Sequence, residues 1–168
     1  MKRRAFLAVV CTVATMAVCG QTALPQVYDE NINPLEQIKD AMKEANTHDK
    51  FIVCQVGGNW CPWCLRLADF VKNDSTISKL IADNFVYIHL NYNPRRSAFD
   101  AAKRTWEEAM MQRLGNPVRF GFPVLVVLDK NGKVLHTQDS SFLEEGQAYS
   151  HDKVLRFLQC WTPSAVGN

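Results

Sequence analysis

The sequence predicts an α/β domain in which a central mixed β-sheet is flanked by helices. Two apolar, β-branched runs, 51–56 and 85–90, are separated by helical patterns, as in a βαβ unit with a right-handed crossover. A third apolar run, 123–129, is followed by the turn signal Asn131-Gly132 and by an antiparallel return strand. Helical patterns at both ends of the domain supply the covering layers.

The predicted elements follow one another in a simple order. Asn33 and Pro34 form a helix start, because asparagine caps a helix well and proline suits its first position. Apolar residues then recur at helical spacing to Thr47. In the hairpin turn we expect positive φ angles at Asn131 and Gly132. The other predicted elements are strand 51–56, helix 63–72, a short helix capped by Asp74, strand 85–90, a helix from Ser97 to Leu114, strand 123–129, return strand 133–137, polar loop 140–150 and helix 152–161.

Length and charge limit the classes of protein to which the chain can belong. Its 168 residues suit one compact domain and an export segment. The 19 basic and 17 acidic side chains nearly balance, and Lys2, Arg3 and Arg4 account for some of the basic ones. A nucleic-acid-binding domain would carry a basic patch, and none is visible in the sequence. We therefore expect no nucleic acid partner.

The N-terminus has the pattern of a secretory signal peptide. A basic start is followed by the apolar run 5–18, which is short for a membrane span, and Gly20 closes an acceptable cleavage site. Cys19 leaves lipoprotein anchoring open, although Val18 before it is larger than the usual small residue, and an uncleaved anchor is the third interpretation. We expect a periplasmic or secreted protein that contacts the membrane only if Cys19 is lipidated. The predicted segments are a signal peptide at 1–20, an N-terminal arm at 21–33, a folded domain at 34–162 and a C-terminal tail at 163–168.

Two cysteines separated by Pro62 and Trp63 lie where the first strand gives way to a helix. Cys61 is nearest the helix N-terminus, whose partial positive charge and N–H groups stabilise a thiolate. We therefore predict that Cys61 is a nucleophile in thiol–disulfide exchange and that Cys64, one turn along, is the resolving thiol. The alternatives are a buried non-redox pair and a zinc half-site. Structural zinc needs four ligands, and neither a second C-x-x-C nor a histidine pair accompanies this one, so we expect no metal and no cofactor beyond the cysteine pair.

Two further cysteines belong to the predicted mature chain. Cys54 lies within an apolar strand, where a thiol usually behaves as a small buried hydrophobe. Cys160 lies near the end of the last predicted helix, and its partner is left open. Disulfides persist in exported proteins, but we do not expect a second bridge here.

The motif Trp60-Cys61-Pro62-Trp63-Cys64, with Gly121-Phe122-Pro123-Val124 downstream, resembles the thioredoxin superfamily. More narrowly, it is similar to the exported bacterial thioredoxin-family proteins whose motif reads W-C-x-W-C. The resemblance covers roughly residues 34–162. It implies a thioredoxin fold, to which this chain adds an extended helical insert before the cis-proline strand.

The resemblance assigns substrate binding to the loop before the third apolar run. Pro123 matches the family's cis-proline, and X-Pro bonds are the ones that readily become cis; the alternative is an ordinary trans proline. In this fold the turn faces the C-x-x-C motif, and the backbone of Phe122 can pair with an extended substrate peptide. Trp60 and Trp63 flank the thiols, where they would shield them or contact a partner, or else belong to the core.

Gln55 is where the chain departs from thioredoxin itself. It falls at the position of the buried acid that assists proton transfer to the second cysteine, and glutamine cannot act as a general base. His89, on the next strand, falls near the site of a family lysine and is a candidate proton acceptor; the alternative is a packed histidine. The departure weakens the case for an efficient general reductase.

The segment 92–122 is long for this fold. One interpretation is a helix that covers the sheet. The other is a flap that shapes the substrate site, because loop 118–122 leads directly into Pro123.

Together these features predict an extracytoplasmic thiol–disulfide oxidoreductase, and the resemblance favours a reductase or isomerase. Its partners would be protein thiols and disulfides, with a membrane thiol donor supplying electrons. The alternative is a non-catalytic binding protein that uses the same site: a copper(I) metallochaperone, since soft thiolates suit copper(I), or a peptide-binding chaperone. No methionine- or histidine-rich neighbourhood favours copper. The sequence leaves the direction of exchange, the substrate, the electron partner and the oligomeric state open.

Overall fold

A four-stranded mixed sheet lies at the centre of the computed structural model, which describes residues 24–167. Strand β1 (Phe51–Gly57) pairs in parallel with β2 (Phe85–Asn91) and antiparallel with β3 (Val124–Leu128). Strand β3 pairs antiparallel with β4 (Val134–Asp139), which gives the order β2-β1-β3-β4. The predicted mixed sheet, with one parallel pair and one antiparallel hairpin, is thereby confirmed.

Helices cover both faces of this sheet. The Asn33 side chain accepts the N–H of Leu35 at 3.0 Å, and the Asp74 side chain accepts the N–H groups of Thr76 and Ile77 at 3.0 Å, so both predicted caps are confirmed. The helices are α1 (Pro34–His48), α2 (Pro62–Asn73), α3 (Ser75–Asn84), α4 (Pro94–Ser97), α5 (Ala101–Arg113), α6 (His151–Cys160) and α7 (Pro163–Val166). Short 3₁₀ turns span Pro117–Phe120 and Ser140–Leu143, and a small hairpin pairs β5 (Glu144–Glu145) with β6 (Ala148–Tyr149).

The fully buried strand β1 divides the interior into two cores, because successive side chains of a strand point to opposite faces. Ile52, Cys54 and Val56 pack in the core that α1 and α5 cover, whereas Phe51 and Val53 pack in the core that α2, α3 and α6 cover. The next side chain on this second face is that of Gln55. The strand therefore directs an amide toward the start of α2.

The predictions of a signal peptide, of cleavage near Gly20 and of lipidation at Cys19 concern residues outside those that the structure describes. Within residues 24–167, no helix is long and apolar enough to cross a lipid bilayer. Residues 24–33 of the predicted N-terminal arm have no regular secondary structure, yet Tyr28 in this arm is buried. The arm is thus part of the folded domain.

The segment between β2 and β3 contains two helices, whereas one helix from Ser97 to Leu114 was predicted. Helix α5 lies within the predicted range and ends where expected, but the predicted start at Ser97 is wrong. Asn93 caps α4 and Asp100 caps α5, each by accepting a backbone N–H with its side chain. The Ser97 hydroxyl instead donates to Glu107, ten residues along the chain. A capping pattern considers only neighbouring residues and so could not predict this contact.

The turn between β3 and β4 uses one positive φ angle where two were expected. Gly132 has a φ of 80°, as predicted, whereas Asn131 does not have a positive φ, so that prediction is wrong. The Asp129 carboxylate accepts the N–H groups of Asn131 at 2.9 Å and Lys133 at 2.8 Å. Asp129 thus closes the turn through its own side chain.

Glu107 of α5 is a buried carboxylate that fixes the start of the insert. It is 7% exposed, and its two oxygens accept the Asn93 N–H and the Ser97 hydroxyl, both at 2.7 Å. Buried carboxylates persist in folded proteins when their oxygens are hydrogen-bonded. The same stretch carries Arg96, which forms an ion pair with Glu30 of the N-terminal arm.

We expect Glu107→Ala to lower the free energy of unfolding by about 1–3 kcal/mol, because it leaves the half-buried Asn93 N–H and the buried Ser97 hydroxyl without their acceptor. Glu108→Ala is the matched control, since Glu108 is the exposed neighbour on the same helix. The control should stay within about 0.5 kcal/mol of the unsubstituted protein. Denaturant unfolding curves measure both changes, and equal losses would contradict the role given to Glu107.

Candidate active site

Cys61 and Cys64 form a disulfide where β1 ends and α2 begins. Cys61 is the N-cap of α2, and its Sγ accepts the backbone N–H of Cys64 at 3.2 Å. Cys61 is 5% exposed and Cys64 is completely buried. A partner molecule can therefore reach the sulfur of Cys61 before that of Cys64.

The electrostatics of the helix start favour a thiolate at Cys61. The positive end of the helix dipole lies at this sulfur, and a backbone N–H already points to it. The first turn of α2 contains no acidic side chain that would oppose a negative charge. The position of Cys61 is thus suited to a nucleophilic sulfur.

The loop before β3 faces the disulfide. The peptide bond between Phe122 and Pro123 is cis, and the carbonyl oxygen of Phe122 lies 3.7 Å from Cys61 Sγ. Pro123 is buried, and the partly buried Phe122 packs against the cluster that contains both cysteines. The structure therefore brings Phe122 and Pro123 to the more exposed side of the disulfide.

Trp60 lies on the surface beside this loop. It is 47% exposed, and its indole N–H donates to the carbonyl oxygen of Tyr92 at 2.8 Å. Its ring meets Phe122 edge-on at 5.6 Å between centroids, and Tyr92 stacks on Phe122 at 5.3 Å. A small hollow of about 260 Å³ adjoins Trp60, and its other walls are Asn93, Pro94 and Arg95.

Trp63, in contrast, is turned toward the second core. Its ring contacts Tyr149 edge-on at 5.6 Å between centroids, and Arg66 lies over the ring at 4.9 Å. Tyr149 also donates its hydroxyl to the carbonyl oxygen of Trp63, at 3.4 Å. The two tryptophans thus occupy different environments, one at the surface and one largely packed.

The amide of Gln55 joins three segments beneath the disulfide. Its Nε2 donates to the carbonyl oxygen of Cys64 at 2.9 Å and to the hydroxyl oxygen of Tyr28 at 2.6 Å. Its Oε1 accepts the hydroxyl of Tyr87 at 2.7 Å. The completely buried amide therefore has a partner at each end, as buried polar groups require.

Asn59 anchors the N-terminal arm beside the cysteines. Its Oδ1 accepts the N–H groups of Val27 at 3.2 Å and Tyr28 at 3.1 Å, and its Nδ2 donates to the carbonyl oxygen of Tyr28 at 2.8 Å. Sequence reasoning missed Tyr28, Asn59 and Tyr87. The available signal was weak: an adjacent valine and tyrosine in a largely polar stretch that has no period.

His89 packs between two tyrosines. Its ring centroid lies 5.4 Å from those of Tyr28 and Tyr87, both edge-on, and its Nε2 is buried without a hydrogen-bond partner among the described residues. Burial lowers the pKa of His89 from 6.5 to about 4, so the ring is neutral near pH 7. Proton transfer through His89 stays a prediction, and the lowered pKa makes this ring a weaker base than an ordinary histidine.

The two other cysteines within residues 24–167 are separate from this site. Cys54 is buried in β1, where burial raises the pKa of its thiol, and Cys160 is exposed at the end of α6. Neither forms a disulfide in the part of the chain that the structure describes. Over the same residues, no three side chains of His, Cys, Asp or Glu lie together as metal ligands would.

Comparison with known proteins assigns the chain to a family. Residues 38–140 match the family model of the thioredoxin-like domain. The chain belongs to the thioredoxin-like family. A search of curated protein sequences gave no significant match.

The solved structures that resemble this thioredoxin-like chain include a disulphide isomerase and a thioredoxin. The crystal structure of a disulphide isomerase from Xylella fastidiosa Temecula1 is 27% identical in sequence, with a TM-score of 0.65 over 82% of this chain and 97% of the other. A thioredoxin from Thermus thermophilus is 19% identical, with a TM-score of 0.51 over 77% of this chain and 88% of the other, and supports the fold alone. The family and the Cys61–Cys64 disulfide confirm the predicted fold and the predicted class of enzyme, a thiol–disulfide oxidoreductase.

The lowered pKa of His89 should make the free energy of unfolding depend on pH. Because the folded pKa of about 4 lies below the usual 6.5, the unfolded chain binds the proton first as the pH falls. The folded state should therefore lose roughly 3 kcal/mol between pH 6.5 and pH 4 on account of this ring. His89→Phe should remove this part of the pH dependence, whereas replacing the exposed His48 should not. Denaturant unfolding at several pH values measures the slopes, and an unchanged slope in His89→Phe would contradict the assignment.

Proposed function

We propose that this thioredoxin-like enzyme exchanges disulfides with protein substrates outside the cytoplasm, as a reductase or isomerase. The observation that carries the proposal is the Cys61–Cys64 disulfide at the start of α2, in which the more exposed cysteine, Cys61, faces the Phe122–Pro123 loop. The similarity to a disulphide isomerase over nearly the whole of that protein supports the direction of exchange. The predicted signal peptide supports the location.

In the proposed reaction, the reduced enzyme attacks first through Cys61. The Cys61 thiolate attacks one sulfur of a substrate disulfide, which forms a mixed disulfide and releases the other substrate sulfur as a thiolate. Cys64 then attacks the sulfur of Cys61, forms the Cys61–Cys64 disulfide and releases the second substrate thiol. Two electrons pass from the cysteine pair to the substrate, and water supplies the protons. An isomerase differs in that another substrate thiolate displaces Cys61 before Cys64 attacks.

The surroundings of Cys61 are suited to an extended peptide. In the proposal the Phe122 backbone next to Pro123 pairs with the substrate main chain, as in the addition of a strand. Trp60 and the hollow beside it would receive an apolar substrate side chain. The insert contributes Tyr92 and Pro94 to this surface, which favours the interpretation that the insert shapes the substrate site. Trp63 would act indirectly, by packing the first turn of α2.

Continuous turnover requires a supply of electrons. We propose that a membrane thiol donor reduces the Cys61–Cys64 disulfide by the reverse exchange, attacking Cys61 while Cys64 leaves. The cysteine pair itself carries the electrons in this scheme, so the chain would need no dissociable cofactor. The greater exposure of Cys61 makes its sulfur the one that such a donor can approach.

Single cysteine substitutions test the two roles. Cys61→Ser should abolish reduction of a disulfide-bonded protein such as insulin by the mature chain. Cys64→Ser should also lose turnover, but it should accumulate a mixed disulfide through Cys61, which mass spectrometry of the intact proteins detects. Cys160→Ser is the matched control and should retain activity, because Cys160 is exposed at the end of α6, outside the site. If the mixed disulfide accumulated in Cys61→Ser rather than in Cys64→Ser, the roles assigned to the two cysteines would be contradicted.

The reduction potential tests the direction. Equilibration in graded glutathione buffers, followed by alkylation and mass spectrometry, gives the potential of the cysteine pair. A reductase or isomerase should lie between about −270 mV, the value of thioredoxin, and about −180 mV, that of protein disulfide isomerase. A value near −120 mV would indicate an oxidase and contradict the proposed direction. If the two cysteines never form a mutual disulfide, the enzyme proposal fails, and a binding role such as copper(I) transfer is to be tested instead.

A further inference from the structure

The second cysteine of the site has an electrostatic requirement that α2 alone does not meet. Cys64 is completely buried, and burial disfavours a thiolate. The same effect raises the pKa of Cys54, which precedes Gln55 in β1. Cys64 must nevertheless carry negative charge when it attacks Cys61 or leaves from it. Gln55, whose side chain lies beneath the disulfide, is an amide and cannot take up the proton of the Cys64 thiol. Among residues 24–167 the only buried carboxylate is that of Glu107, and its two oxygens already accept hydrogen bonds from Asn93 and Ser97.

The hydrogen bonds of Gln55 leave one proton available beneath the disulfide. The carbonyl oxygen of Cys64 can only accept, so the donating end of the amide must face it, and the same Nε2 faces Tyr28. The hydroxyl oxygen of Tyr28 therefore accepts from Gln55, and its own proton must point elsewhere. Within residues 24–167, this hydroxyl donates no hydrogen bond when the two cysteines are oxidised.

Gly57 shows where this hydroxyl lies relative to the sulfur. A Cβ built on Gly57 would lie 3.1 Å from the Tyr28 hydroxyl, and it would also clash with Cys64 Sγ. The hydroxyl oxygen and the sulfur thus border the same small space above the glycine. Tyr28 and both cysteines also belong to one buried cluster.

We propose that the Tyr28 hydroxyl is a catalytic hydrogen-bond donor to the Cys64 thiolate. The inference rests on the proposed function, in which Cys64 resolves the mixed disulfide and leaves when the enzyme is reduced. When a thiolate donor attacks Cys61, a new sulfur–sulfur bond forms, the Cys61–Cys64 bond breaks, and its electron pair stays on Cys64 Sγ. The Tyr28 hydroxyl then donates to this sulfur without giving up its proton. In the opposite direction the same contact stabilises the Cys64 thiolate before it attacks.

The other properties of Tyr28 are consistent with a donor that stays protonated. Burial raises the pKa of Tyr28 above its usual value, so the phenol is neutral throughout the pH range of thiol exchange. The Asn59 amide holds the arm in place, and Gln55 holds the hydroxyl. The titratable groups around the sulfur are Cys61 and Tyr28, with Tyr87 and His89 behind them. A charge-assisted bond from Tyr28 is then the local interaction that favours the thiolate.

Tyr28→Phe tests the proposal, because it removes the hydroxyl and keeps the ring. The rate at which dithiothreitol reduces the Cys61–Cys64 disulfide should fall roughly tenfold, since Cys64 becomes a poorer leaving group. In a Cys61→Ser background, the pKa of Cys64, followed through its Cβ chemical shift, should rise by about one unit. Tyr87→Phe is the matched control: it removes the hydroxyl at the other end of the Gln55 amide and should change both quantities much less.

The outcomes separate this inference from the proposed function. If the unsubstituted protein cycles normally and Tyr28→Phe leaves both quantities unchanged, or if Tyr87→Phe changes them equally, the role of Tyr28 is overturned while the enzyme proposal stands. If the unsubstituted protein does not cycle, the proposed function fails first. Should Tyr28→Phe not fold, Asn59→Ala releases the arm while retaining the hydroxyl. It should raise the pKa of Cys64 in the same direction by a smaller amount, and no rise would overturn the proposal.

Discussion

A buried amide in the central strand connects the segments that make up this site. Gln55 contacts α2 through the carbonyl oxygen of Cys64, the N-terminal arm through Tyr28 and β2 through Tyr87. An unsatisfied polar group at this depth would cost about 1–3 kcal/mol, so the three contacts must form together with the sheet. The register of β1 determines where the Gln55 amide lies. The amide in turn holds Cys64 in the interior and Tyr28 of the N-terminal arm beside it.

The two cysteines acquire different properties from their positions on one helix. Cys61 is the N-cap, where the helix dipole and the Cys64 N–H favour a thiolate and where the residue lies beside the Phe122 loop and stays slightly exposed. Cys64 lies one turn further in, where no solvent reaches it. Cys61 is therefore suited to attack by or on a partner molecule, and Cys64 is suited to the second, intramolecular step.

The sequence was sufficient wherever the determining interactions are local or periodic. The apolar runs predicted the strands, the Asn33 and Asp74 caps were correct because each side chain bonds N–H groups two or three residues away, and C-x-x-C after a strand located the disulfide. The Ser97 cap was wrong because its hydroxyl bonds Glu107 on another helix. Tyr28 was missed for the same reason: its burial depends on Asn59 and Gln55, about thirty residues away, and long-range polar contacts leave no period in a sequence.

A site built in this way controls thiol chemistry with dipoles rather than with charges. Gln55, Tyr28, Tyr87 and the neutral ring of His89 are all uncharged at neutral pH, and the nearby helix N-terminus contributes only a partial charge. An ionised carboxylate beside Cys64 would repel the negative charge of the Cys64 thiolate. A glutamine held between two tyrosines avoids that repulsion. Stabilisation of the buried sulfur must then come from the direction of individual N–H and O–H groups, and this makes the fixed position of the N-terminal arm part of the chemistry.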